Sequence, residues 1–282
     1  MVSIALIFAL GSAVLFATYA LLSRVLSKKS EDPLVMSILY GLYASVFSGI
    51  LLFFEPWKFG VITPWILFLT FLVTVFFGIY QGAEFFARKH LEASRMTVIF
   101  QLTPVVTSIC AIIFLGEEFS WIKLSAIVVI VFGNLIAIYK HGGHVTRMGL
   151  TFGLTTVIFL AFGYVGDKKV FQYYPLPLYV AITYFFPSLY AFLFTKDRFA
   201  RIRKGINDTS WRLPVLSLIS VFSYYFILKA FSLAEASVVI PVAFSSTILT
   251  SLGAIFILKE KSNIPQKLIG LAFVFAGVMI LR

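Results

Sequence analysis

Residues 92–94 read Glu92-Ala93-Ser94, and the apolar run that follows closes at Leu115-Gly116-Glu117. The same letters return at Glu235-Ala236-Ser237, and Glu260 closes the next such run. Both recurrences are displaced by 143 residues. Outward from this stretch, further identities fall at a displacement of 144: Leu6/Leu150, Phe8/Phe152, Leu10/Leu154, Pro33/Pro177, Leu34/Leu178, Ile38/Ile182 and Tyr40/Tyr184. The 282-residue chain is two copies of a unit about half its length. Five apolar segments fall in each copy, and an odd number of crossings forces the copies into opposite orientations. The pattern predicts an all-α integral membrane fold: ten transmembrane helices as two inverted five-helix repeats, residues 1–140 and 148–282.

Composition excludes a soluble reading. Hydrophobic residues make up 60% of the chain, charged residues 12%, and the mean hydropathy is +0.99. A helical crossing takes roughly 20 apolar residues. The predicted spans lie near 3–26, 33–54, 64–88, 94–115, 121–139, 149–170, 177–195, 213–233, 237–258 and 265–281, with one sizeable polar segment at 196–212. The N-terminal run reads as a structural helix and not a cleavable leader: Met-Val-Ser leads straight into apolar sequence, the first charge is Arg24, and the run recurs at 149–170. The net charge of +11 sits in flanks of apolar spans, a membrane-protein pattern, so no nucleic-acid partner is expected. The one cysteine, Cys110, reads as a core residue of the fourth span. His141-Gly-Gly-His144 reads as a flexible turn between the halves, with no metal.

Prolines and small residues organise the spans. Asp32-Pro33 and Thr63-Pro64 each set a capping oxygen before a first-turn proline, and Pro177 and Pro265 open the seventh and tenth spans. Pro104, Pro187 and Pro241 lie inside spans, where each removes a backbone hydrogen bond that a neighbour or lumen water must replace. In the second span Ser37, Gly41, Ser45 and Gly49 recur every fourth residue as a smooth ridge. Gly78/Gly82 and Gly149/Gly153 make further small-residue seams, and Gly270 and Gly277 share a face.

The string Ala93-Ser94, Leu102-Thr103-Pro104-Val105, Leu115-Gly116-Glu117, then Gly133 and Asn134, resembles the repeat of the drug/metabolite transporter superfamily, EamA-like branch. The second copy carries Ala236-Ser237, Glu260, Gly270 and Gly277, but Thr247 stands where Pro104 would map and Lys259 replaces the glycine before the glutamate. The resemblance spans essentially the whole chain. It implies a central cavity lined mainly by the third, fourth, eighth and ninth spans, with the fifth and tenth bracing the bundle. It also implies a small amphiphilic metabolite as substrate.

Within that frame two acidic residues lie at membrane depth. Asp167 adjoins Lys168 and Lys169 and reads as part of an interfacial charge cluster. Glu84 shares a helical face with Gln81 and Arg88, and is either paired with Arg88 or exposed to the cavity. The first span has no carboxylate, unlike the small multidrug resistance relatives that couple protons through one. Neutral groups supply the rest: Gln101, Thr103 and Thr107 flank Pro104, while Ser245, Ser246, Thr247, Thr250 and Ser251 form the matching cluster. Tyr224 and Tyr225 lie in the eighth span, and Tyr40 and Tyr184 are repeat equivalents. The expected substrate-binding residues are Gln81, Glu84, Gln101, Thr103, Tyr224, Ser245 and Thr247. Glu92, Glu117, Glu235 and Glu260 are expected to cap or brace helix ends.

The reading is a secondary transporter of a small polar or amphiphilic metabolite, working by alternating access as a monomer in the cell membrane, without cofactor. The alternative is an integral-membrane enzyme acting on a lipid; no span contains a histidine and paired carboxylates are lacking. Orientation divides the indications. Six Lys and Arg (Lys58, Lys123, Lys168, Lys169, Lys229, Arg282) fall on the side of the termini, and the other seventeen of twenty-three fall opposite. That bias turns the termini away from the cytoplasm, whereas members of the resembling family keep them inside.

Overall fold

A capping oxygen and a proline begin α2 (Pro33–Leu51) and α3 (Pro64–His90) as the sequence predicts. The Asp32 carboxylate accepts from the Leu34 amide at 3.2 Å, and the Thr63 hydroxyl from the Ile66 amide at 3.3 Å. The computed structural model describes residues 2–26, 32–53, 55–91, 93–138, 146–257 and 264–281. Before α2 comes α1 (Val2–Leu26). After α3 the first repeat continues through α4 (Ala93–Phe100), α5 (Thr103–Leu115) and α6 (Trp121–Ile138). The second repeat holds α7 (Arg147–Val170), a 3-10 turn at Phe171–Tyr173, α8 (Leu176–Phe194), α9 (Arg198–Thr209), α10 (Arg212–Phe231), α11 (Ala236–Ala243), α12 (Ser246–Ile257) and α13 (Ile264–Ile280). Among the described residues the regular structure is all helical, with no strand. Among the described residues seven segments are long and apolar enough to cross a membrane, and three shorter apolar helices join them at Trp121–Ile136, Ala236–Thr250 and Pro265–Ile280.

Two spans expected to be continuous are broken. The predicted 94–115 and 237–258 helices divide at Gln101-Leu102 and at Phe244-Ser245, which are equivalent positions 143 residues apart. Each break tightens into hydrogen bonds of three-residue spacing: Gln101 N–H to Val98, Leu102 N–H to Ile99, Ser245 N–H to Val242 and Ile248 N–H to Ser245, at 3.0–3.1 Å. At the first break Pro104 has no N–H for the Phe100 carbonyl. At the second, the Asn134 side chain donates to the Phe244 carbonyl at 3.3 Å and so holds it from outside the helix. The polar 196–212 segment also contains structure that its composition hid. There α9 seats Gly205 against Val35 and Leu39, while Arg201 ion-pairs with the Asp32 that caps α2.

Equivalent helices of the two repeats pack against each other and run antiparallel. On α2 and α8, Gly41 meets Ser188 and Ser45 reaches the Ala181 carbonyl at 3.2 Å, so numbers rise on one helix as they fall on the other. On α6 and α13, Gly133 lies against Gly270, Phe273 and Val274, and Gly277 lies against Ala126 and Ile130. The exchange extends to α3 on α7 and to its counterpart, α1 on α10. Two positions of the small-residue ridge take part, Gly41 and Ser45; the Ser37 carbonyl instead accepts from Gln81 of α3 in the same repeat, and Gly49 has nothing within 4 Å of an added Cβ. The outer surface is apolar, with Ile7, Val46, Ile113 and Phe275 each more than 60% exposed. All four tryptophans (Trp57, Trp65, Trp121 and Trp211) are exposed at helix ends or in the adjoining loops, where an amphipathic ring meets both lipid and water.

Candidate functional site

The two helix breaks meet at one polar node. Gln101, in the first break, donates from Nε2 to Thr247 Oγ1 at 2.7 Å, at the second residue of α12. Asn134 of α6 donates from Nδ2 to Gln101 Oε1 at 2.9 Å as well as to the Phe244 carbonyl. Gln101 is 1% exposed and Asn134 fully buried, so these bonds form away from bulk water and carry geometric weight. Thr247 is the residue that departs from the repeat pattern at the Pro104 position, and that departure supplies the hydroxyl for the bond between repeats. Thr103 and Ser245 are buried at the same breaks, and among the described residues Thr103 Oγ1, Thr107 Oγ1 and Asn134 Oδ1 have no hydrogen-bond partner. Buried polar atoms left open in this way suit water or a ligand.

Other expected residues lie elsewhere. Gln81 on α3 donates to the Ser37 carbonyl of α2 at 3.1 Å and is a tie between helices. Glu84 is half-buried and bonds with the Tyr80 hydroxyl; the Arg88 side chain proposed as its partner lies outside the described residues. Tyr224 belongs to an aromatic chain through the bundle. Its ring stands edge-on to Tyr184 at 5.8 Å and to Phe77 at 6.0 Å. Tyr184 meets Tyr40, and Phe77 meets Tyr80 and Tyr164. Ser220 of α10 bonds both repeat-equivalent tyrosines, Tyr40 and Tyr184.

The reading of Asp167 is corrected. It is fully buried and outside any charge cluster with Lys168 and Lys169, and its carboxylate accepts from Tyr179 at Oδ1 and from Tyr224 at Oδ2, each at 2.7 Å. Neighbours on a helix point about 100° apart, so Lys168 does not share its face. The Lys168 ammonium instead holds the carbonyls of Phe231 and Ala234 at the end of α10. The signal available was its setting: Asp167 is the one acidic residue in the apolar Arg147–Tyr173 stretch, and the flanking lysines masked it.

The helix-end glutamates act between repeats. Glu117, leaving α5, accepts from the Ala236 amide at 2.7 Å and the Ser237 amide at 3.1 Å, capping α11 of the other copy. Glu235 pairs with Lys123. Glu92, Glu260 and the His141/His144 pair lie outside the described residues. Outside the spans, burial works to raise the Glu55 carboxyl, but hydrogen bonds from Tyr225 and Lys229 and the lysine charge outweigh it and hold it below its usual range. Among the described residues no group of three His, Cys, Asp or Glu could hold a metal ion.

The model of the EamA-like transporter family matches residues 3–139 and again 147–282. The chain belongs to that family. It is a multi-pass membrane protein of a family of small-solute transporters. A solved structure titled only "Crystal structure of protein" has the same fold, with a TM-score of 0.73, 14% identity, and 98% and 97% of the two chains covered. No curated protein matches.

Proposed function

We propose that this EamA-like protein is a secondary transporter that moves a small polar or amphiphilic metabolite across the cell membrane, as a monomer, by alternating access between two inverted halves. In this reading the chain crosses ten times: α1, α2, α3, α4 with α5, α6, α7, α8, α10, α11 with α12, and α13, with α9 on the surface. Antiparallel packing of α2 on α8 and of α6 on α13 supports the inversion. The observation that carries the proposal is the bond from Gln101 to Thr247 across the two breaks. Broken helices at the interface between repeats are where carriers of this architecture bind their cargo. Tyr40, Tyr80, Tyr164 and Tyr184 belong to one connected chain of rings inside the bundle, which supports an aromatic lining for the path. In this reading Gln101, Thr103, Ser245, Thr247, Gln81, Glu84 and Tyr224 contact the cargo.

Uptake of a labelled metabolite panel into proteoliposomes tests this. At least one compound should enter saturably and faster than into protein-free liposomes, and Thr247→Val should lower that rate about tenfold, an effect of roughly 1.4 kcal/mol. Entry of no compound above the protein-free rate overturns it. Glu84→Gln should change the rate or its pH dependence while the protein still inserts.

A further inference from the structure

Asp167 is a fully buried carboxylate in an apolar helix that the carrier reading above does not use. A charge there is costly and demands compensation. Its compensation consists of two neutral phenols, Tyr179 from α8 and Tyr224 from α10, one on each carboxylate oxygen at 2.7 Å. The ionisable groups around it, among the described residues, come from four elements and a turn. From α8 come Tyr179 and Tyr184, from α10 Tyr224, from α7 itself Tyr164, and from the turn after α7 Tyr174, whose ring lies 5.9 Å from that of Tyr179. On α3 the titratable Tyr80 and Glu84 face Tyr164, while Thr70 bonds Tyr174 at 2.9 Å. Lys168 is turned to the Phe231 and Ala234 carbonyls, and the glutamates near it, Glu117 and Glu235, face the lysine. The neighbours that bond the Asp167 carboxylate are phenols, not cations.

The phenols also give the carboxylate two sides. Tyr224 faces the aromatic interior through Tyr184 and Phe77, whereas Tyr179 faces the 3-10 turn through Tyr174. We propose that Asp167 is the binding site of a coupling proton, exchanged with the interior by way of Tyr224. In the ionised state the carboxylate accepts a hydrogen bond from each phenol, tying α7 to α8 and α10. When a proton arrives at Oδ2, Asp167 becomes neutral, the new O–H needs an acceptor, and the Tyr224 bond to that oxygen is lost or reversed. The tie between α7 and α10 therefore depends on the proton. This inference rests on the carrier reading for its coupling, but not for the site itself.

Two measurements separate the site from the coupling. Infrared difference spectra of the purified full-length protein, taken on acidification from about pH 9 to about pH 4, should show a protonated carboxyl band that Asp167→Asn removes. Tyr179→Phe and Tyr224→Phe each remove a donor to the ionised form, so the band should grow in at a pH about one unit higher. These variants also serve if Asp167→Asn fails to fold. A band unchanged in all three variants overturns the site. In proteoliposomes loaded with the panel compound that enters, Asp167→Asn should abolish accumulation driven by a pH gradient while leaving exchange at equal pH. Gradient-driven accumulation that survives in the variant, or a wild type driven by sodium at constant pH, overturns the coupling. If no panel compound enters, the infrared result still decides the site.

Discussion

At the scale of single residues, close approach and burial decide which positions tolerate change. An added Cβ at Gly41 would meet the Ser188 hydroxyl and stand 2.7 Å from the Tyr184 carbonyl, which cannot yield without moving α8. Gly41→Ala should destabilise the protein by about 1–3 kcal/mol. Gly49→Ala meets nothing within 4 Å and should be neutral or gain about 0.5–1 kcal/mol from helix propensity. Thermal unfolding in detergent compares the pair, and equal midpoints would refute the close packing. Glu55 offers a pH test. Its folded carboxyl lies below its usual range, so its contribution is present above about pH 4.3, the unfolded value, and is lost as pH falls through the lower folded one. Glu55→Gln should flatten stability across that acidic window, lowering it at neutral pH and changing little below the folded value. Gln101 was legible at this scale because an amide in an apolar span must find a partner. Asp167 was not, because residues adjacent in sequence hid residues adjacent in space.

At the scale of elements, the half-helices depend on partners supplied by the other repeat. The eight-residue α11 is too short to be stable alone, and its first amides are held by Glu117 at the exit of α5. Glu117→Ala should cost about 0.5–2 kcal/mol and speed hydrogen exchange at the amides of Ala236 and Ser237. Unchanged exchange there would remove Glu117 as a cap. The caps of α2 and α3 could be read directly, since an N-cap and its proline are neighbours in the chain. The breaks could not be read in the same way. Pro104 announced a kink in the first copy, but in the second the break is held by Asn134, 110 residues away, on the Phe244 carbonyl. The α9 helix escaped notice because its sequence is polar, and its anchoring contacts with Val35, Leu39 and Asp32 lie far off in the chain.

At the scale of the whole molecule, the pairing of helices exchanges the two repeats throughout. Such a bundle can rock about its interface while every helix stays intact. Which way it faces follows from charge: short loops rich in Lys and Arg resist translocation, and the side opposite the termini carries seventeen of the twenty-three. The 196–212 loop, with Lys196, Arg198, Arg201, Arg203, Lys204 and Arg212, should therefore face the cytoplasm. A C-terminal alkaline phosphatase fusion should be active. An inactive phosphatase paired with a fluorescent green-protein fusion at the same point would reverse the orientation and favour the family expectation.

The amino-acid sequence by itself determined the membrane class and the duplication. These follow from apolar run length and from displacement between identical letters, both of them properties of a string. Tertiary structure alone decided which polar groups share a site. It joined Gln101 to Thr247 across 146 residues and Tyr224 to Asp167 across 57, and it set Gln81 on a carbonyl of α2 instead. A buried polar atom bonds to whatever lies within about 3 Å, and between helices that distance is set by crossing and packing, which local sequence does not encode.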